Sequence, residues 1–512
     1  HKDLEPSEVR VQAKAQLHDA AISKLRERFD VDGGELELSV DRESAKLSGS
    51  AHVDGVPLEI DWQENFADDA ALERSFHLQG DVPADALARF GIEPPLPVQG
   101  SFGLEARVEE TAGRRQVYLA LDLEPLAFSL PWLAWQKARG QAGRLEAVLA
   151  IPEQGPIGVE SFSVSGPDLN IMGTMQLQAE PLALISADIE SFRLARSQGS
   201  LVVQSDPEGT YRVTVEALSL DLGRLLEMRD QATSKEPSGG PSGEPTPFRL
   251  ELSADTVLLD GQSLRAVHAD LARDRSGWRS ADVDARLSSG GTVALRLVPE
   301  NGQRHLTVTS GDAGALLEAL DQSSRIEGGR LKIDAVIRRQ VPTLAAEGIF
   351  QVKDFKLLDA PALARLLTLA SLTGIGNLLG GEGIFFDRLE LPFTLQDRVI
   401  TIDEGRMSGS QLGLTAEGRI ELDPARLELD GTIVPVYTLN KVIGNIPLLG
   451  PFLTGSEGEG AFAATYSMKG DPGEPEITVN PLSVLAPGFL RELFSGLLEG
   501  SLQPPEVRSD DK

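Results

Sequence analysis

The residues that could do chemistry in this chain are few and poorly placed for it. Its six histidines (His1, His18, His52, His77, His268 and His305) are scattered, without the i, i+4 pairing or adjacent carboxylates of a metal site. There is no cysteine, which excludes disulfides and thiolate metal centres. Gly374-Ile-Gly376-Asn-Leu-Leu-Gly380 imitates a dinucleotide loop, but its third glycine comes one place late and a helical stretch precedes it instead of a strand. No Gly-x4-Gly-Lys-Ser/Thr phosphate loop exists, and the Gly-Ser pairs at 409–410 and 455–456 lack the flanks of a nucleophile elbow. Carboxylates are plentiful, yet most alternate with apolar residues, where a solvated strand face accounts for them. The inventory points away from an enzyme, and no cofactor is expected.

The apolar residues are ordered instead. Between Gly381 and Met468 they fall on alternate positions: Leu389, Leu391, Phe393 and Leu395; Ile400 and Ile402; Leu412, Leu414, Ile420 and Leu422; Leu427, Leu429 and Ile433; Phe462, Ala464, Tyr466 and Met468. Glu390, Thr394, Thr401, Glu417, Arg419 and Glu428 stand between them. A period of two means strands with one apolar and one wet face. Asp397-Arg398, Asp403-Glu404-Gly405 and Asp423-Pro424 supply turns at hairpin spacing, so the stretch predicts an antiparallel meander. What covers its apolar side decides the function.

The rest of the chain varies this theme. At 512 residues it exceeds one compact core, and 51 glycines with 31 prolines suit many short strands and turns. A formal charge of −30 opposes docking on nucleic acid or anionic lipid head groups and favours solubility. Residues 6–29 read as a helix, with Leu17, Ala21, Leu25 and Phe29 four apart. Alternation then runs from Leu36 through Val215, with a short helix at Pro83–Phe90, and resumes from Leu250. Between these, residues 229–247 are dense in Pro, Gly and Ser and read as a disordered loop inserted in a continuous sheet. A loose internal repeat underlies the whole: a short helix (Ala84–Gly91, Gly311–Leu320, Pro361–Leu367) leads to a glycine-led alternating run, as at Gly100 and Gly328.

Three apolar segments stand outside the alternation. Ala360–Leu379, carrying Leu363, Leu366 and Leu367, is long enough to cross a bilayer but holds Arg365, two glycines and Asn377, so it reads as an interfacial or groove-covering helix. Phe489, Leu490, Leu493, Phe494 and Leu497 form one stripe of a C-terminal helix, fit either to cap the sheet or to touch a membrane. Val442–Leu453 is a proline-broken apolar loop. Roughly thirty candidate strands at about 4.8 Å each would make a sheet on the order of 140 Å long. Such a sheet either folds into separate sandwiches or curls into a trough lined by Leu, Ile, Val and Phe that needs an apolar ligand. Residue pattern alone leaves both open.

The C-terminal third resembles the AsmA-like superfamily, in particular its long YhdP-type members. The carriers are Phe355–Leu367, Ala370-Ser371, Gly383-Ile-Phe-Phe386, Gly431-Thr-Ile-Val-Pro435, Leu439-Asn440, Ile446-Pro-Leu-Leu-Gly450, Leu453-Thr-Gly455 and Asn480–Gly488. Leu58–Phe66 and Leu130–Lys137 are similar to the middle region of the same proteins. The resemblance implies a mainly β fold: an elongated, curled antiparallel β-sheet forming a groove, with short amphipathic helices. It implies a bridge-like protein of the Gram-negative periplasm, held in the inner membrane by an N-terminal helix that this chain, beginning at His1, lacks. It implies passage of phospholipid toward the outer membrane, with a possible outer-membrane or periplasmic partner protein.

On this reading the chain divides into a helical segment (1–30), groove repeats (31–228), a linker (229–247), further groove repeats (248–356), an AsmA-like C-terminal region (357–500) and a disordered tail (501–512). Acyl chains would lie on Leu391, Phe393, Leu395, Ile400, Ile402, Leu414, Ile420, Leu422, Leu427, Leu429, Ile433, Phe462 and Tyr466. The alternative is a structural or assembly factor for outer-membrane biogenesis whose sheet edges pair with client β-strands.

Overall fold

The computed structural model describes residues 12–483 except 26–28, 68–71, 91, 93–96, 112–113, 131–134, 180–181, 224–245, 260–261, 321–324, 340–343, 359, 370–382, 436–461 and 473. The chain is mainly β and divides into two compact units, residues 1–240 and 241–512, with the division inside the Pro/Gly/Ser-rich segment. Each unit is an open antiparallel meander in which almost every strand pairs with its neighbours in sequence.

The first unit runs from β1 (Ala13–Leu25) to β15 (Tyr211–Asp221). Its order is interrupted once: β7 (Arg114–Asp122) pairs with β10 (Arg144–Pro152), while β8 (Leu126–Leu130) and β9 (Trp135–Lys137) form a side sheet on the start of β6 (Val98–Thr111). The helix expected over residues 6–29 is strand β1 where described, its Ala13, Ala15 and Leu17 opposite Val40, Leu38 and Leu36. A spacing of four fits two strand periods as well as one helical turn, so Leu17 and Ala21 did not discriminate. A ready partner in β2 (Phe29–Val40) decides for the strand.

The second unit runs from β16 (Phe248–Leu258) to β28 (Glu476–Ser483), and each strand pairs with the next. β22 (Ala345–Leu357) pairs with both β21 (Ile326–Arg339) and β23 (Ile384–Gln396), so the described strands on either side of residue 356 share one sheet. The turn expected at 403–405 is also absent. β24 (Val399–Ser408) passes through it with a bulge between Ile402 and Gly405, which keeps it paired to β25 (Leu412–Leu422). The turns at Asp397-Arg398 and Asp423-Pro424 are present.

Among the described residues three short helices interrupt the hairpins: α1 (Ala86–Arg89) between β5 (Arg74–Pro83) and β6, α2 (Ala313–Ala319) between β20 (Gln303–Ser310) and β21, and α3 (Pro361–Leu369) between β22 and β23. Since β20 and β22 run the same way, α2 and α3 lie on one rim of the second unit. Every connection on the opposite rim has five residues or fewer. The first unit repeats the scheme, with α1 and the β8–β9 side sheet on one rim.

The glycine that leads the strand after α1 has a steric reason. Gly100 has φ +100°, and a Cβ there would lie 2.4 Å from the Pro125 carbonyl oxygen, where β8 closes on β6. Gly155 has φ +107° with open space around it. Gly100→Ala is expected to destabilise the first unit by about 2–3 kcal/mol and Gly155→Ala by about 1 kcal/mol, read by denaturant unfolding; equal costs would leave backbone strain as the sole cause.

Candidate functional site

Register converts the alternation into continuous apolar rows. In the second unit, directly opposed residues run Leu250, Leu271, Ala281, Leu297, Leu306, Ala335, Gly348, Phe393, Ile402, Gly418, Leu429, Met468 and Ile477, one from each strand. In the first unit a similar row runs Ala15, Leu38, Leu47, Trp62, Phe76, Val108, Val117, Leu149, Val159, Met175, Ala187, Val203 and Val213. No polar residue breaks either row. The other face carries cross-strand ion pairs such as Arg296 with Asp282 (2.9 Å) and Asp284 (2.7 Å), and Lys469 with Glu428 (2.5 Å).

The second sheet curls about its apolar side. Helix α3 sits in the β22–β23 connection yet packs on β28, six strands further on, which in a flat sheet would be about 29 Å away. The helices seal only part of the face. Leu363, Leu366 and Leu367 of α3 and Ala313, Leu316 and Ala319 of α2 are buried in one cluster with Leu331, Val352, Phe355, Ile384, Phe386, Leu412, Ile433, Tyr466 and Ile477. Phe355 and Phe386 stack within it, ring centroids 5.6 Å apart.

Toward the short-turn rim a second cluster, Leu297, Ile337 and Ala346 with Ala281, Leu306 and Leu395 against it, consists only of residues from neighbouring strands. Among the described residues no helix contributes to it. Accordingly the expected lining residues divide. Ile433 and Tyr466 are core, and Ile402 and Leu429 are buried. Leu391, Phe393, Leu395, Ile400, Leu414, Ile420 and Leu427 are half-buried, and Leu422 is exposed. Ile433 and Tyr466 belong to the buried cluster that α2 and α3 join. Phe462 lies in β27 (Phe462–Gly470), and Phe489, Leu490, Leu493, Phe494 and Leu497 fall outside the described residues, as does Val442–Leu453.

Tyr466 explains its own burial. Its ring lies over Gly431, where a Cβ would stand 2.6 Å from Cζ, and its hydroxyl donates to the Thr415 carbonyl at 2.6 Å. Burial, with Asp430 nearby, pushes the phenol well above its ordinary value. A raised folded-state value means this stability is full below pH ~10 and is lost as pH rises through the folded pKa. Tyr466→Phe is expected to cost about 1–2 kcal/mol, and to remove a tyrosine that ionises above the ordinary range in an absorbance titration.

In the first unit α1 caps a comparable cluster, with Ala86 fully buried among Val56, Leu58, Val82, Phe102, Leu123 and Leu126. Beside it Lys137 is 2 % exposed, its Nζ donating to the carbonyls of Leu123 (2.7 Å) and Leu126 (2.9 Å) and, at 3.4 Å, of Glu124 and Ala138. Nothing in the alternation marked this lysine as buried.

Two inward arginines also went unremarked. Arg273 is in phase with Leu271, and Arg304 with Leu306, and a charge at an apolar position of the alternation was the available signal. Among the described residues, no group of three or more His, Asp or Glu could hold a metal, and no helix is long and apolar enough to cross a membrane. In comparisons with known proteins, no family model, no curated protein and no solved structure matches the chain.

Proposed function

We propose that this protein carries phospholipid between the inner and outer membranes through the periplasm, as a YhdP-type member of the AsmA-like superfamily would. Acyl chains lie along the apolar rows while head groups stay at the short-turn rim. The observation that carries the reading is the run of half-buried apolar residues Phe393, Leu395, Ile400, Ile420 and Leu427, which among the described residues lies outside the cluster that the helices join. An apolar surface of this kind is stable in water when a ligand covers it. Nothing in the site cleaves or transfers a bond, so movement is passive sliding along the rows.

Organic extraction of the purified protein followed by lipid mass spectrometry is expected to yield diacyl phospholipid. A photoreactive residue at Phe393 or Ile420 is expected to crosslink to it. Lipid-free protein, with crosslinks only to other parts of the chain, would sink the proposal. The second reading, strand pairing with client proteins, draws on β1, which among the described residues pairs only with β2 and is exposed along most of its length. It predicts crosslinks from Lys14 or Gln16 to unfolded outer-membrane proteins.

A further inference from the structure

In the second unit, the row nearest the short-turn rim is not wholly apolar. It runs Phe248, Arg273 and Trp278 across the first three strands, then Pro299, Arg304, Ile337, Ala346, Leu395, Ile400, Ile420 and Leu427. The only charges in it are two arginines, and no carboxylate stands in it, in a chain with 78 acidic and 48 basic residues. Strands β17 (Ser263–Asp274) and β20 put them three strand spacings apart, about 14 Å. Two extended arginine side chains can close that gap on one anion.

Arg273 is held without being neutralised. Its guanidinium lies 5.9 Å from the centroid of Trp278, which meets Phe248 edge-on at 5.8 Å. Its Nε is buried with no hydrogen-bond partner, and among the described residues it forms no ion pair. A buried donor left unmade is costly, and an aromatic face leaves the guanidinium's in-plane donors free for an oxygen ligand. Arg304 leans toward the same hairpin, its Nη2 3.3 Å from the Ser276 hydroxyl. The neighbouring carboxylate, Asp274, is already engaged by the Ser276 hydroxyl at 2.5 Å and its backbone N–H at 2.8 Å. These contacts, with Arg304 and Arg279 acting through charge, hold it below the usual carboxylate range.

We infer that Arg273 and Arg304 bind the phosphodiester of a glycerophospholipid whose acyl chains run down the rows from Leu250, Leu271, Leu297 and Leu306. The inference rests on the lipid-carrying reading above and adds where the head group sits and what it must carry. A planar fork of donors beside an aromatic ring suits a phosphate oxygen pair, and its position at the mouth keeps the head group in water while the chains leave it.

The test uses the full chain and two lipids with the same acyl chains, dioleoylphosphatidylglycerol and dioleoylglycerol, plus inorganic phosphate. Binding of fluorescent forms of each lipid is compared between the wild type and the R273Q/R304Q variant, with melting temperature as the fold check. The expected result is a loss of about tenfold or more for the phospholipid, with dioleoylglycerol binding and melting unchanged. Equal binding of both lipids by both proteins overturns the arginine site and leaves the groove standing. If neither lipid binds the wild type, the groove itself fails. Inorganic phosphate bound as tightly as the phospholipid, and lost in the variant, would make this a free-phosphate site and overturn the lipid assignment. If the variant melts early, R273K/R304K keeps the charge and the test: it should recover part of the phospholipid binding, and no recovery counts against the site.

Discussion

Ile433→Asp is expected to unfold the second unit, whereas Ile420→Asp on the adjoining strand is expected to leave it folded and abolish lipid binding. Both isoleucines point to the same face. Ile433 is opposite Leu414 and Ala464, fully buried in the cluster closed by α2 and α3, and an aspartate there has no partner and no water. Burying an unpaired carboxylate in such a site costs about 4 kcal/mol or more, a large share of a domain's stability. Ile420 stands between Ile400 and Leu427, all three half-buried and, among the described residues, outside the cluster the helices join, so an aspartate can reach solvent at about 1–2 kcal/mol. Hydrogen exchange over residues 412–435 distinguishes the two, and lipid extraction supplies the functional readout. Similar loss of protection in both variants would mean that the Ile420 region is ordinary core, and the lipid-carrying reading would fall with it.

That pair also marks where sequence reasoning stops. Alternation placed Ile420 and Ile433 on strands and on the same side, and the strand registers agree with it almost throughout. It could not tell them apart, because their difference lies in which end of the sheet α3 covers. That depends on the curl bringing β28 within reach of a helix that leaves the chain some hundred residues earlier. Local pattern carries parity; it does not carry curvature.

The same limit explains β1, where Leu17 and Ala21 satisfy two periods and a long-range partner decides. It also explains Gly405, where the bulge that keeps β24 paired was indistinguishable from a turn: a Cβ there would stand 2.9 Å from the Ala416 carbonyl oxygen, a contact set by β25. The repeated helix followed by glycine was legible because both halves are local. The helices' common rim follows from strand direction alone, and so was implicit in the meander.

Lys137→Met is expected to unlatch the β8–β9 side sheet. The ammonium group holds the carbonyls of Leu123, Glu124, Leu126 and Ala138 together, so a methyl thioether of similar length fills the volume but leaves the Leu123 and Leu126 oxygens without a donor. The cost is about 2–4 kcal/mol, seen as fast hydrogen exchange in residues 123–143 while the β10–β15 ladder stays protected. The pH dependence separates this role from simple packing. Burial pushes the Lys137 ammonium down from its ordinary value, with Glu124 and Asp122 opposing. The unfolded chain then keeps its proton up to pH ~10.4 while the folded one releases it earlier. In that window the unfolded state binds more protons, so the lysine's contribution to stability rises with pH, is complete above ~10.4, and is lost as pH falls through the folded value. Wild type minus Lys137→Met stability should therefore increase through this alkaline range. A flat difference would mean that the lysine is solvated in the native state and that the four carbonyls are satisfied by water instead.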